Sequence, residues 1–187
     1  MNELSEDHAE VQVYTNALRI SQICAELRHL LQRADSNGLA PEMIPEIEAA
    51  IQHLRDCDYY TEYWFETAPS RWRPRHTLQT SSGGAGQAYF YHDITVAITH
   101  YYHRSFRIHM HEMLVQTLEL LSTAGMSYIS SDDIEIAIDH SRRAGRELID
   151  GNICTVPFLT GRVDCYGVRS PVIRGLWNWA FFMLALR

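Results

Sequence analysis

The sequence contains no lysine, and all sixteen of its cationic side chains are arginines. Schiff-base catalysis and the phosphate-binding P-loop both require a lysine, so these two kinds of chemistry are excluded. The glycine-rich run at residues 81–86 is therefore interpreted as a linker and not as a phosphate loop. No G-x-S-x-G elbow occurs, and no serine or cysteine has a recognisable base partner, so we predict no catalytic residues and no enzyme.

Cysteine is scarce and scattered. Cys24, Cys57, Cys154 and Cys165 form no C-x-x-C pair, and no apolar run follows Met1 as it would in a secretory signal. We expect an intracellular chain whose reduced thiols are small core residues. The longest strongly apolar stretch, residues 176–186, is well short of the ~20 residues that cross a bilayer, so no membrane partner is expected.

Basic charge is in deficit as well. The 23 acidic and 16 basic residues give a net charge of −7. Residues 1–67 hold thirteen acids and four arginines (−9), and residues 68–187 hold ten acids and twelve arginines (+2). Nucleic-acid affinity comes largely from cations that neutralise phosphates, so we expect no direct binding of nucleic acid and no DNA-binding residues.

What the sequence does contain is helical periodicity in one domain-sized length of 187 residues. An apolar stripe through residues 20–31 predicts a first helix, which the cluster at residues 35–38 ends, with Gly38 suited to a left-handed position. A second helix is predicted from residues 41–45 to the aromatic run at 59–65, antiparallel to the first.

The rest of the chain extends this pattern. Residues 67–87 are predicted as a flexible internal loop, and residues 89–123 as the longest, central helix. Residues 130–133 form an N-cap cluster for a fourth helix, which the sequence at 150–152 ends or loosens and which Pro157 ends. After a loop at 161–171, residues 172–186 predict a final apolar helix. The expected fold is all-α, one irregular bundle of five or six helices over residues 1–187, without a sheet.

Two clusters contain residue types that bind metal ions. His100, His103, His109 and His111 lie within twelve residues, beside Glu112. The H-E-x-x-H zinc pattern fails because Val115 stands where the second histidine is needed, and Arg107 lies within the set. The acids at 132, 133 and 135 resemble a magnesium-diphosphate cluster, but they also fit a helix N-terminus. We predict no metal and no cofactor.

Four motifs follow one another along residues 45–187. The first is W-x4-P-x-x-W, formed by Trp64, Pro69 and Trp72. The second comprises Tyr102, Arg104, Arg107, Ile108, His111, Glu112 and Leu114. The third comprises Ile153, Cys154, Val156, Pro157, Phe158 and Gly161. The fourth comprises Gly175, Leu176, Trp179 and Ala180. Core packing and helix termination account for each motif taken alone, and we expect structural roles for these residues.

Together, in this order, the motifs resemble the C-terminal regulatory region of fungal zinc binuclear cluster (Zn2Cys6) transcription factors. The six closely spaced cysteines and the basic stretch of the family's DNA-binding domain are absent, and so are its last helices. The resemblance thus implies a truncated Zn2Cys6 factor: a transcription-regulating helical module in the nucleus (otherwise cytoplasmic) that acts through a protein partner or a small-molecule effector. It is either a shortened relative or an incomplete gene product.

Two alternatives stay open. One is a small helical enzyme acting on a hydrophobic metabolite, with the acids at 132–133 or the histidines of the long helix as its site. The other is a degenerate fragment without a stable fold. We also expect self-association through the C-terminal apolar helix, because only Asn178 and Arg187 are polar among residues 175–187 and no further helix covers it.

Overall fold

The computed structural model describes residues 6–77, 88–125, 129–160 and 166–167. Over these ranges it contains four α-helices, two short 3-10 helices and a two-stranded sheet. The all-α class is confirmed, but these residues form four helices and not five or six. They pack into two compact units, each described by itself: unit 1 comprises Met1–Trp64 and Ser105–Leu148, and unit 2 comprises Phe65–Arg104 and Ile149–Arg187.

The first two helices of unit 1 pair through the predicted apolar stripes. Helix α1 spans Glu6–Asn37, and α2 spans Ile44–Thr67 after a 3-10 turn at Pro41–Met43. Gly38 follows α1 with φ +80°, a left-handed angle that glycine adopts without strain, as predicted. One buried cluster contains residues of both stripes, among them Ile20, Cys24, Leu27, Ile47, Ile51, Leu54 and Cys57.

Residues 67–90 hold structure that was not predicted. A 3-10 helix forms at Ser70–Trp72, and strand β1 (Arg75–Thr77) pairs antiparallel with β2 (Ala88–Phe90). The expectation of no sheet was wrong, since strands of three residues are too short for an alternating pattern to show. The expectation of one loop over 67–87 was wrong for residues 70–77, and residues 78–87 lie outside the described part of the chain.

Helix α3 spans Ile94–Ala124, so its predicted beginning at residue 89 was wrong. Residues 88–90 belong to β2, and the Asp93 carboxylate caps the helix by accepting the Val96 amide at 2.9 Å. The helix has 31 residues and is one residue shorter than α1, so it is not the longest. It contributes buried side chains to both units, including Ala97 in unit 2 and Met110, Leu118 and Leu121 in unit 1.

Helix α4 spans Ser131–Leu159 and begins at the predicted cap, where the Ser130 hydroxyl accepts the Asp133 amide at 3.1 Å. The helix neither ends nor loosens at residues 150–152, and it continues past Pro157 for two residues, contrary to expectation. Proline lacks the N–H that would donate to the carbonyl four residues earlier, and the helix ends two residues after it. At that end, the Thr160 amide donates to the Val156 carbonyl at 2.9 Å.

Other expectations fall on residues that the structure leaves undescribed. The predicted final helix at 172–186 and most of the loop at 161–171 are among them; only Tyr166 and Gly167 are described there, in a turn. Cys24 and Cys57 are buried and free, as expected of core residues, and Cys154 is half-buried and free. Among the described helices, none combines the length and apolarity that a membrane span requires.

Candidate functional site

Asp58 and Glu62 lie one helical turn apart on α2. They face Arg107 and His111, which lie one helical turn apart on α3, within unit 1. The Arg107 Nε donates to Asp58 Oδ1 at 2.6 Å, and Arg107 Nη2 donates to Glu62 Oε1 at 2.7 Å. His111 follows Arg107 by four residues, and its Nε2 lies 3.4 Å from Asp58 Oδ2. A guanidinium thus binds two carboxylates, and an imidazole stands beside one of them.

Burial strengthens the interactions between the charged groups of this cluster. The side chains of Arg107 and Asp58 are 8% and 14% exposed, whereas Glu62 is 60% exposed. Burial alone raises the pKa of Asp58, but the nearby His111 ring and the Arg107 charge outweigh it and hold the pKa at about 2. Burial also opposes the charge of Arg107, but the two carboxylates outweigh that effect and raise its pKa. Both members of the ion pair therefore stay charged at neutral pH.

His111 is the most enclosed member of the cluster, with a side chain only 3% exposed. Its Nδ1 has no hydrogen-bond partner among the described residues, whereas its Nε2 faces Asp58 Oδ2. Helix α4 passes close by, because a Cβ added at Gly145 would lie 4.0 Å from the His111 Cβ. A buried ring nitrogen without a hydrogen bond is unfavourable unless water or a ligand supplies one.

A cleft of about 810 Å³ opens over this cluster, within unit 1. It lies inside the range of roughly 300–1,000 Å³ that is usual for small-molecule sites. From α2 and α3 it is lined by Gln52, Arg55, Asp58, Tyr59, Glu62, His111 and Leu114. Helix α4 and the residue preceding its cap supply Ile129, Asp133, Ile136, Ala137, His140 and Ser141. The cleft therefore combines three carboxylates, two imidazoles, a guanidinium and several apolar side chains.

Arg104, the other arginine of the second motif, belongs to a separate cluster in unit 2. Its Nη1 donates to Thr155 Oγ1 at 2.8 Å, to Tyr91 Oη at 3.1 Å and to the Gly151 carbonyl at 3.3 Å. Tyr91 is fully buried, and its hydroxyl lies 2.8 Å from Thr155 Oγ1. These bonds join the residue that follows β2 to α3 and α4 within unit 2, which is a structural role.

The histidines of α3 do not converge. His100 and His103 belong to unit 2, where both rings pack against Phe65, and the His100 Nε2 donates to the Trp72 carbonyl at 2.5 Å. His109 is exposed and accepts a hydrogen bond from Arg28 Nη2 at 2.7 Å. No group of three or more His, Cys, Asp or Glu side chains among the described residues is arranged to hold a metal ion.

The remaining motif residues have varied surroundings. Trp72 is buried in the 3-10 helix that Pro69 precedes, and Trp64 is half-buried. Tyr102 is 39% exposed. Glu112 is also exposed, and its Oε2 lies 3.7 Å from the Nδ1 of His109. Cys154 and Pro157 are half-buried on α4. Three motif residues, Gly161, Gly175 and Trp179, lie outside the described residues.

The sequence did not point to Asp58 and Glu62, which complete the site. Their only local signal is the spacing of two acids by four residues, which also fits a solvated helix face. Their partner Arg107 lies 49 and 45 residues away along the chain, so only tertiary structure reveals the pairing.

Comparison with known proteins returns no match to the chain, whether to family models, curated proteins or solved structures.

Proposed function

We propose that the chain is a non-catalytic, transcription-regulator-like helical module that binds a small-molecule effector in the cleft over Asp58 and His111. The observation that carries this proposal is the cleft itself, with a buried imidazole whose Nδ1 lacks a hydrogen-bond partner among the described residues. The sequence resemblance adds support, because Arg107 and His111 of its second motif lie at this cleft or directly against it.

The test uses the full chain tethered to a DNA-binding domain that has no activation region, with a reporter gene. We expect reporter transcription to differ severalfold from that given by the DNA-binding domain alone. His140→Trp places bulk at an exposed, cleft-lining position and should change the output. Gln116→Trp adds the same bulk at an exposed position of α3 outside the cleft and should not. Output equal to the domain alone, or an equal response to both variants, would contradict the proposal.

A second candidate, a small helical enzyme, is favoured by one feature of the same cleft. Its lining contains Ser141, His111 and Asp58, the residue types of a nucleophilic hydrolase. Against it, Asp58 is already bound by Arg107, whereas a triad carboxylate serves to orient the histidine. An activated aryl ester is the probe: hydrolysis that Ser141→Ala abolishes would favour the enzyme, and hydrolysis no faster than that in buffer would favour the non-catalytic module.

A further inference from the structure

The cleft lies in the acidic unit of the molecule. Unit 1 contains nineteen acidic residues and eight arginines, a formal charge of −11, whereas unit 2 contains four acids and eight arginines, a formal charge of +4. The two charges add to the −7 of the whole chain. A small molecule that approaches unit 1 therefore meets a negative potential, which attracts cations and repels anions.

The same sign dominates at the cleft. Asp58, Glu62 and Asp133 line it against one arginine, Arg55. Arg107 neutralises part of this charge, but even with it counted the carboxylates stay in excess. Next to the cleft, the outer face of α4 presents Asp132, Glu135 and Asp139 against Arg143. These charges add to the negative potential beside the cleft.

His111 gives a second and independent indication of a ligand. Its side chain is 97% buried and lines the cleft, and its Nδ1 has no hydrogen-bond partner among the described residues. The neutral ring has one donor and one acceptor nitrogen. With Nε2 on the Asp58 side, Nδ1 is the acceptor that needs a donor, and an N–H group of a ligand would satisfy it.

The cleft also has an apolar part. Tyr59 and Ile136 line it and are 68% and 67% exposed, so both side chains are accessible to a ligand. A phenol ring attracts a cation over its face, and an aliphatic side chain favours an apolar group. The requirements of the lining are thus a positive charge, N–H donors and an apolar body.

We infer that the cleft binds a small organic cation, an amine that carries an apolar group, with the ammonium among the carboxylates of Glu62 and Asp133 and the apolar group against Tyr59 and Ile136. This inference rests on the proposed function, because it specifies the chemical class of the effector.

Three probes of similar size test it by titration into the full chain: 2-phenylethylammonium, neutral 2-phenylethanol and anionic 3-phenylpropionate. Heat of binding gives the affinities, and the NMR signals of the His111 ring show whether the cleft is occupied. We expect the ammonium to bind at least about tenfold more tightly than the other two, since a hydrogen bond to a charged group contributes more than a neutral one. Added salt should weaken binding of the ammonium.

Glu62→Gln and Asp133→Asn should each weaken ammonium binding by about fivefold or more. Both side chains are exposed, and asparagine preserves the polar group at the start of α4, so folding should be retained. Glu119→Gln is the matched control, because it removes one charge of unit 1 at an exposed position outside the cleft. It should change the affinity by less than about twofold.

The outcomes separate the two proposals. Equal or tighter binding of the alcohol or the carboxylate, with the His111 signals shifted, would overturn the cation inference and leave the effector site standing. An equal effect of Glu119→Gln and Glu62→Gln would overturn it too, by showing a general charge effect. If none of the probes shifts the His111 signals at millimolar concentration, both the inference and the effector site are overturned.

Discussion

At the scale of single residues, the contacts of Arg107 and His100 show how burial decides what a polar side chain contributes. Arg107 is buried with Asp58, and each charge makes the other tolerable. His100 is also buried, and its burial, followed by the charge of Arg104, lowers its pKa, so it stays neutral. Loss of the Arg107 charge and protonation of His100 should therefore each lower the stability of the folded protein.

Arg107→Leu should destabilise the protein by about 3 kcal/mol, because it leaves the Asp58 carboxylate buried without its cation. The control is Arg142→Leu, since Arg142 pairs with Glu119 where both side chains are about half exposed. Such surface pairs contribute about 1 kcal/mol or less. Urea unfolding at neutral pH measures both changes in the free energy of unfolding. Equal decreases would show that the Asp58–Arg107 pair contributes no more than a surface pair.

Acidification should destabilise the protein through His100. Burial, followed by the charge of Arg104, lowers the pKa of His100 from 6.5 to about 3. Because the unfolded chain then binds the proton more readily, the stability from His100 is complete above pH 6.5 and declines as the pH falls toward about 3. Between about pH 7.5 and about pH 5 the loss should be about 2 kcal/mol.

His100→Gln separates this effect from that of the other histidines. Glutamine can keep an N–H donor near the Trp72 carbonyl but does not titrate. The variant should lose less stability than the natural chain over the same pH range, as measured by urea unfolding at each pH. Identical pH dependence of the two proteins would rule out His100 as the source.

At the scale of elements, the end of α1 and the beginning of α4 were predictable from the sequence, whereas the beginning of α3 and the end of α4 were not. Gly38 and Ser130 mark an end and a beginning by local backbone chemistry, which the sequence contains in full. The β1–β2 pair depends on residues that are eleven or more positions apart, and its three-residue strands have no periodic signal. Helix α4 continues through Gly151, which lies against the Arg104 side chain, a contact that only the folded chain provides.

The two glycines of α4 give a matched pair of substitutions. Gly145→Ala should stabilise by about 0.5–1 kcal/mol, since alanine favours a helix and the added Cβ meets its nearest atom at an ordinary 4.0 Å. At Gly151 the added Cβ would lie 3.0 Å from Arg104 Nε, whose side chain is held by Tyr91 and Thr155. Gly151→Ala should therefore be at least about 1 kcal/mol less stable than Gly145→Ala in urea unfolding. Equal stabilisation would mean that Arg104 moves freely.

At the scale of the whole molecule, the sequence was sufficient for the fold class and insufficient for the site. The apolar stripes along α1 and α2 can be recognised from residues that are close together in the sequence, and they predicted the paired helices. The charge asymmetry was also visible, but it became meaningful only when residues 105–148 joined the acidic first part of the chain in unit 1. Asp58 and Glu62 could not be distinguished from surface acids without Arg107 opposite them.

The last prediction concerns association of the whole chain through residues 175–187. Their only polar side chains are Asn178 and Arg187, and burial of Trp177, Trp179, Phe181 and Phe182 would contribute roughly 1.5–3 kcal/mol each. We expect concentration-dependent sedimentation of the full chain at tens of micromolar, which Phe181→Asp with Phe182→Asp should weaken. Val11→Asp with Leu18→Asp is the control, because these α1 side chains are 63% and 66% exposed and offer a competing apolar surface. Dissociation by the α1 pair alone would place the interface on α1, and a monomer at every concentration would show that residues 175–187 are covered within one chain.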